Sequence, residues 1–181
     1  AQSPIKITII YDNNAYQPGL TTDWGFSALI RMNGHSILFD TGGNGSILLN
    51  NMDLLNIDPS SIENIVISHA HLDHAGGIDL LSSHIENVSI YVLPSFADTF
   101  RNHFQDQHTI ITASSYQQIQ SKVFTTGKLG TAIPEQALVI DTSEGLIVVT
   151  GCAHPGIVNI LENVYNHFQK PIYLVIGGFH L

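Results

Sequence analysis

Three histidines and an aspartate lie within six positions in the run VISHAHLDHAGG, residues 66–77, where an apolar stretch ends. Alternate residues of an extended segment point the same way, so His69 and His71 can direct two imidazoles at one point. Asp73 and His74 follow where the chain turns towards a helix, and they can face a second point nearby. Neutral imidazole and carboxylate bind Zn²⁺, and also Fe or Mn. The run therefore predicts a metal site that gives two ligands to each of two adjacent ions.

The composition agrees with a metal site and argues against several other functions. Ten histidines outnumber the six lysines and arginines, and histidine is the commonest metal ligand in proteins. The net charge is −9 at pH 7, whereas a nucleic-acid binder or a polybasic membrane anchor needs a basic stripe. Apolar stretches such as YLVIGGF fall well short of the ~20 residues that span a bilayer. We therefore expect a compact globular protein without a nucleic-acid or membrane partner.

Apolar periodicity predicts strands and helices along the whole chain. The strands at residues 26–32 and 36–40 are expected to form a hairpin, because the intervening Asn-Gly is a strong signal for a tight turn. Residues 156–168 are expected to form an amphipathic helix, and residues 171–178 a final buried strand. Other strands are predicted at 5–11, 64–68, 88–93, 108–113, 122–126, 137–141 and 145–150, and other helices at 44–57, 77–85 and 94–104. This pattern predicts two packed sheets with helices outside, in a single domain of residues 1–181.

Four motifs carry a resemblance to a known family. The chain contains, in this order, ILFDTGG, SHAHLDHAGG, TGCAHPGIVNIL and VIGGFHL. Their order and approximate spacing resemble one branch of the metallo-β-lactamase superfamily. Some members of that branch are described as 7,8-dihydropterin-6-methyl-4-(β-D-ribofuranosyl)aminobenzene-5′-phosphate synthase, and many are unassigned metallohydrolases. The resemblance implies an α+β fold, an αββα four-layer sandwich, with a dinuclear metal site at one edge of the two sheets.

The resemblance also implies a ligand set. His69, His71 and His154 would hold one metal ion, and Asp73 and His74 would hold the other. Asp73 is also the expected catalytic residue, since its carboxylate could orient the nucleophile. An alternative for His154, which lies between a strand and a helix, is that it caps the following helix.

The end of the chain departs from the family pattern. His180, in GGFHL, stands where many members have a bridging aspartate, and a histidine cannot bridge two ions as a carboxylate can. The resemblance still makes His180 a candidate metal ligand, and the alternative is that it is an ordinary residue at the end of a strand. Members usually supply one further histidine from a late loop, and nothing in this sequence matches it. A domain seldom stops directly after a core strand, so we expect residues after Leu181; they would supply that ligand, or else the second site is weakened.

Several residues near the motifs have two interpretations. Asp40 could orient a ligand histidine through its second ring nitrogen, or it could only bond backbone amides in a turn. Cys152 could be a ligand, but we expect a small buried residue. Gly76 and Gly77 are expected to let the backbone approach the metal centre without interference from a Cβ atom. Five other histidines, on predicted turns or helix surfaces, receive no role: His35, His84, His103, His108 and His167.

The first loop contains candidate substrate contacts. Trp24, Phe26 and Tyr16 could line a pocket, although aromatic residues beside a loop are more often plain packing. Asp12 and Asn13 resemble a DN pair of the branch, and the sequence does not define their function.

The function expected from these features is that of a metal-dependent hydrolase or group transferase. An activated water would attack an ester- or phosphoester-like small molecule, which could be pterin-related. The alternatives are an iron-dependent redox branch and a non-catalytic metal- or ligand-binding module with a degenerate second site. The sequence leaves the oligomeric state open. It also leaves the compartment open, between a cytoplasmic protein and one exported with signal cleavage.

Overall fold

The computed structural model describes residues 4–14 and 16–180. These residues contain eleven strands, five α-helices and a short 3₁₀-helix (Pro59–Ser61), joined by loops. The strands are β1 (Lys6–Tyr11), β2 (Ser27–Met32), β3 (His35–Phe39), β4 (Asn64–Val66), β5 (Ser89–Val92), β6 (Thr109–Thr112), β7 (Gln117–Gln120), β8 (Val123–Thr125), β9 (Leu138–Asp141), β10 (Leu146–Thr150) and β11 (Ile172–Gly177). The helices are α1 (Gly45–Leu54), α2 (Leu72–Ala75), α3 (Ile78–Ser82), α4 (Ala97–Phe104) and α5 (Ile157–Phe168). None of these helices combines the length and the apolarity that crossing a membrane requires. Leu181, after which the sequence suggested a further ligand, lies outside the described residues.

The strands form two sheets. The first has the order β1-β2-β3-β4-β5-β6 and the second β11-β10-β9-β8-β7. Strands β2 and β3 are antiparallel, and the residues between them, Asn33 and Gly34, have φ of 55° and 85°. Positive φ at both central residues is what a type I′ turn requires, so the predicted hairpin is confirmed.

Three apolar clusters define how the layers stack. One lies between the first sheet and helices α1, α3 and α4, and includes Leu38, Leu48 and Leu81. A second lies between the two sheets, where residues such as Phe39 meet residues such as Val149. A third lies between the second sheet and α5. The order is therefore helices, sheet, sheet, helix, and the predicted αββα sandwich is confirmed.

The direction of the strands brings the polar motifs to one edge of the sandwich. Strands β3 and β4 are parallel, and Asp40 and His69 follow their carboxyl ends. Strands β10 and β11 are also parallel, and His154 and His180 follow theirs. Glu135 lies shortly before β9, which runs antiparallel to β10 and so begins where β10 ends. Residues distant in sequence therefore meet at this edge.

The last strand differs from its prediction as a buried strand. Tyr173 is 63% exposed and Leu174 is 40% exposed. The reason is topological, because β11 is an outer strand of its sheet and pairs with β10 alone among the described strands. Its apolar sequence predicted the strand correctly but not its position at the edge.

Two glycines of the histidine segment pack against the loop after β3, and one histidine differs from its prediction. A Cβ atom on Gly77 would lie 2.2 Å from the Thr41 carbonyl oxygen, and one on Gly76 would lie 2.6 Å from that of Gly43. These glycines therefore permit close packing of the histidine segment on the loop after β3, and their expected role beside the metal centre stays a prediction. His108, expected on the surface, is only 4% exposed. The chain turns back after α4, where the His108 backbone N–H donates to the Phe104 carbonyl, and this turn places the ring in the interior.

Candidate metal centre

Three of the predicted ligands, His69, His71 and His154, lie together. Each offers one ring nitrogen, and these atoms all lie within 4.8 Å of one another. The ring centroid of His69 is 4.6 Å from that of His71 and 4.7 Å from that of His154. Extended backbone after β4 supplies the first two rings, and the loop between β10 and α5 supplies the third. Their assignment as ligands of one ion remains a prediction.

The second predicted pair, Asp73 and His74, lies on the short helix α2. Asp73 Oδ2 is 3.4 Å from His74 Nε2. The same nitrogen, His74 Nε2, is 3.0 Å from the Sγ atom of Cys152. Ligand atoms of His69, His74 and Cys152 also lie within 4.8 Å of one another. The structure thus brings a sulfur atom into the second group of donors, whereas the sequence favoured a small buried residue at Cys152.

His180 lies near one residue of each group, His154 of the first and Cys152 of the second. Its ring centroid is 4.8 Å from that of His154, and its ligand atom falls within 4.8 Å of those of Cys152 and His154. It follows β11 with a φ of 39°, which turns the chain at this point. A role for His180 as a ligand stays a prediction.

Asp40 orients two of the histidines. Its Oδ2 atom is 2.7 Å from His74 Nδ1, and the Ser68 hydroxyl donates to the same oxygen at 2.7 Å. The Ser68 amide donates to Oδ1, also at 2.7 Å. Ser68 Oγ is in turn 2.8 Å from His69 Nδ1. Of the two interpretations of Asp40, the structure therefore contains the contact with a histidine, together with one backbone amide.

Glu135 orients the ring of His154 through Nδ1, as Asp40 orients that of His74. It is 1% exposed, its Oε2 atom is 3.0 Å from His154 Nδ1, and the amides of Ala153 and His154 donate to its carboxylate. The sequence interpretation missed this residue. A usable signal was present, because Glu135 is an acidic residue two positions before the apolar stretch ALVI, at the start of a predicted buried strand.

These outer contacts determine which ring nitrogens remain free for a ligand. A carboxylate only accepts hydrogen bonds, so the Ser68 hydroxyl donates to Asp40 and His69 Nδ1–H donates to Ser68. The second nitrogen of His69, Nε2, is then an acceptor; it is buried and has no hydrogen-bond partner among the described residues. Buried polar atoms of this kind are rare and need an explanation. A divalent cation fits, because its histidine ligands usually donate their other N–H to a carboxylate, carbonyl or water.

The electrostatics of the two inner histidines differ. Burial is the largest cause that lowers the pKa of His69, and repulsion from the imidazoles of His74 and His154 lowers it further, to about 2. Burial also lowers the pKa of His74, but the attraction of the Asp40 carboxylate and its hydrogen bond outweigh this and raise the pKa to about 11. His69 is therefore neutral, as a metal ligand must be, and a cation at His74 Nε2 would take the place of that ring's second proton.

A cavity of about 510 Å³ opens beside these residues. Asp73, His74, Cys152 and His180 line one side, and residues of the first loop line the other, including Asp12, Asn13, Trp24 and Phe26. Its size is in the range typical of small-molecule sites. Tyr16, the third aromatic residue considered for this pocket, lines a neighbouring cavity of about 440 Å³ between the first loop, β1 and α1.

Replacing Glu135 by Gln should weaken metal binding about 10–100-fold, the usual cost of losing an outer hydrogen-bond partner of a ligand. Gln keeps the size of the side chain but removes the charge that holds His154 Nδ1–H and two amides. Competition with a chelator measures the affinity. The exposed Glu144→Gln is the matched control, and equal affinities for the two variants would contradict this role of Glu135.

The fold and the arrangement of histidines define a metallo-β-lactamase-type protein. The chain belongs to the metallo-beta-lactamase superfamily, whose sequence profile matches residues 23–162. It is 29% identical to a Methanocaldococcus jannaschii protein named 7,8-dihydropterin-6-methyl-4-(beta-D-ribofuranosyl)-aminobenzene-5'-phosphate synthase, over 98% of this chain and 78% of that protein. The superfamily inferred from the sequence is therefore confirmed, and so is the resemblance to the branch that includes this synthase.

Solved structures give the same result for the fold. The crystal structure of Tm1679, described as a metal-dependent hydrolase of the beta-lactamase superfamily, is 28% identical, with a TM-score of 0.81 over 98% of this chain and 77% of that one. A quorum-quenching N-acyl homoserine lactone lactonase is 18% identical, with a TM-score of 0.59 over 84% of this chain and 79% of that one. At that identity the second likeness concerns the fold alone. Proteins of this superfamily typically bind metal ions, and the clustered histidines and cysteine here could hold one.

Proposed function

We propose that this protein is a metal-dependent hydrolase that acts on an ester- or phosphoester-like small molecule. The observation that carries the proposal is the buried Nε2 atom of His69, at the centre of the histidine cluster, which has no hydrogen-bond partner within residues 4–14 and 16–180. In this proposal His69, His71 and His154 hold one Zn²⁺ ion. Asp73 and His74 hold a second one, and His180 contributes at the edge of the site.

The chemistry that a bound divalent ion supplies is Lewis acidity, which brings the ionisation of water close to neutral pH. The protein supplies orientation and proton handling. Asp40 and Glu135 fix the rings of His74 and His154, so these rings are held in place before a substrate arrives. The Asp73 side chain is 23% exposed at the cavity, where its carboxylate can accept a proton from water or orient the nucleophile.

The cavity suits a substrate with an apolar or aromatic part. Trp24 is 71% exposed and lines the cavity with Phe26, so its indole ring is available to stack on a planar group. The side-chain amide of Asn13 is held in place by the backbone N–H of Gly25, which donates to Asn13 Oδ1 at 3.1 Å. Its remaining hydrogen-bonding capacity can serve a polar substituent of the substrate.

A second candidate function is group transfer to a pterin-type substrate. The observation that favours it is the 29% identity to the synthase relative over 98% of this chain. In such a reaction the same residues would assist condensation of a pterin with an aminobenzene ribotide. The exposed Trp24 would then stack on the pterin ring.

The test combines metal analysis with turnover. The purified protein should contain up to two tightly held divalent ions and hydrolyse at least one chromogenic phosphodiester, lactone or thioester after loading with Zn²⁺, Mn²⁺ or Fe²⁺. Asp73→Asn should lower turnover about 10²–10⁴-fold, the usual contribution of a positioned acid–base group. Asp79→Asn, an exposed aspartate on α3, is the matched control.

Three results would change the proposal. Condensation of the pterin and ribotide substrates without hydrolysis would select the second candidate. One tightly held ion with neither activity would favour a metal-binding module. Equal turnover of Asp73→Asn and Asp79→Asn would show that Asp73 has no catalytic role.

A further inference from the structure

Cys152 lies where two groups of donor atoms meet. Its Sγ atom is 3.0 Å from His74 Nε2, and it belongs both to the group with His69 and His74 and to the group with His154 and His180. We propose that the Cys152 thiolate is a ligand of the metal centre, bound on the side of His74 and within reach of the first ion. This inference rests on the proposed function, because it requires that the histidine cluster holds a metal ion.

The charge balance of the site supports a thiolate ligand. Two divalent cations would bring four positive charges, whereas the donors within the cluster are neutral imidazoles and the single carboxylate of Asp73. A histidine at position 180 adds one neutral lone pair and cannot bridge two ions. A thiolate adds a negative charge, has more than one lone pair, and is a preferred ligand of Zn²⁺. Binding would release the thiol proton to solvent.

The backbone around Cys152 is held so that its side chain faces the donors. Before it, Gly151 packs so closely that a Cβ atom would lie 2.2 Å from Ser68 Oγ. After it, the amides of Ala153 and His154 donate to Glu135 at 3.0 Å each. Glu135 thus positions two potential ligands together, the ring of His154 and the sulfur of Cys152.

An independent observation indicates that a ligand belongs in this group. His69 Nε2, which shares the group with Cys152 Sγ, is buried and has no partner in the described part of the chain. A Cys152 side chain that only shared a hydrogen bond with His74 would leave His69 Nε2 unsatisfied. A cation between these donors would satisfy it.

The test uses Co²⁺ in place of the native metal, because Co²⁺ bound by a thiolate gives a sulfur-to-metal charge-transfer band in the near ultraviolet. Cys152 is the one cysteine in the sequence, so such a band can come from no other thiolate of this chain. The wild-type protein, stripped of metal and titrated with Co²⁺, should develop the band together with visible d–d absorption. Cys152→Ser should keep d–d absorption, lose the band and bind Co²⁺ at least about 10-fold more weakly, since even outer partners of ligands contribute that much. His35→Ala, an exposed histidine outside the cluster, should keep the band.

A second measurement needs no variant. The thiol of the wild-type protein should react with a disulfide reagent about 10-fold more slowly after loading with Zn²⁺ than without it, because a metal-bound thiolate is not free to act as the nucleophile. Visible d–d absorption without the near-ultraviolet band, or equal thiol reactivity with and without metal, would overturn the assignment of Cys152 and leave the proposed function intact. If the wild-type protein takes up no Co²⁺ at all, the proposed metal-dependent function is wrong and this inference falls with it.

Discussion

His69→Ala is expected to purify without the tightly bound ions of the wild-type protein and to have no measurable turnover. His69 is 1% exposed, and its ring centroid lies 4.4–4.7 Å from those of His71, His74 and His154. Loss of an outer partner already costs about 10–100-fold in affinity, so loss of the central ligand should cost at least the upper end of that range.

Elemental analysis and thermal unfolding with and without Zn²⁺ measure this effect. A ligand present at about 100 times its dissociation constant adds about 2.7 kcal/mol to the free energy of unfolding, and this gain should vanish in His69→Ala. His35→Ala is the matched control, because His35 is exposed and contacts Glu63 rather than the cluster. Full metal content in His69→Ala would contradict the predicted ligand set.

Asp40→Ala is expected to lower the free energy of unfolding by about 3–5 kcal/mol, the usual cost of removing one partner from a buried ion pair. Asp40 is fully buried, and its carboxylate accepts from the Ser68 amide and hydroxyl and pairs with His74 Nδ1. Without it, a buried imidazole and a buried amide lose their partners, and the raised pKa of His74 loses its cause.

Chemical denaturation in the presence of a chelator measures this loss separately from metal binding. Asp40→Asn should be less destabilised than Asp40→Ala, because an amide oxygen can still accept one of the hydrogen bonds. Asp98→Ala serves as the control; Asp98 is 90% exposed and pairs with Arg101 on the surface, so its replacement should change stability by no more than about 0.5 kcal/mol. If Asp40→Ala and Asp98→Ala unfold alike, Asp40 does not have the structural role described above.

The fold was largely predictable because its signals are local. The Asn33-Gly34 turn fixed the first hairpin, and the stripe on residues 156–168 became helix α5 with Ile160 and Val164 buried. The details that were wrong concern where an element lies in the tertiary structure. An apolar strand has the same sequence at the centre and at the edge of a sheet, so β11 could not be recognised as an edge strand.

The candidate site was predictable where its residues are consecutive and not where they are far apart. The run from His69 to His74 carries its ligand pattern in its own spacing. Glu135 and Cys152 reach it only through the pairing of β9 with β10 and the packing of the two sheets. No spacing rule connects Glu135 to His154 or Cys152 to His74, and a cysteine two residues before a histidine resembles a buried core residue.

The sequence by itself determined the family, the four layers and the identity of the clustered imidazoles, because periodicity and short motifs act over a few residues. The tertiary structure alone decided which ring nitrogens face inwards, which carboxylates hold them, and that a sulfur atom lies among them. The physical reason is that hydrogen bonds and coordination depend on distances of about 3 Å, here between residues 19 to 78 positions apart along the chain. Only the packing of the two sheets sets those distances.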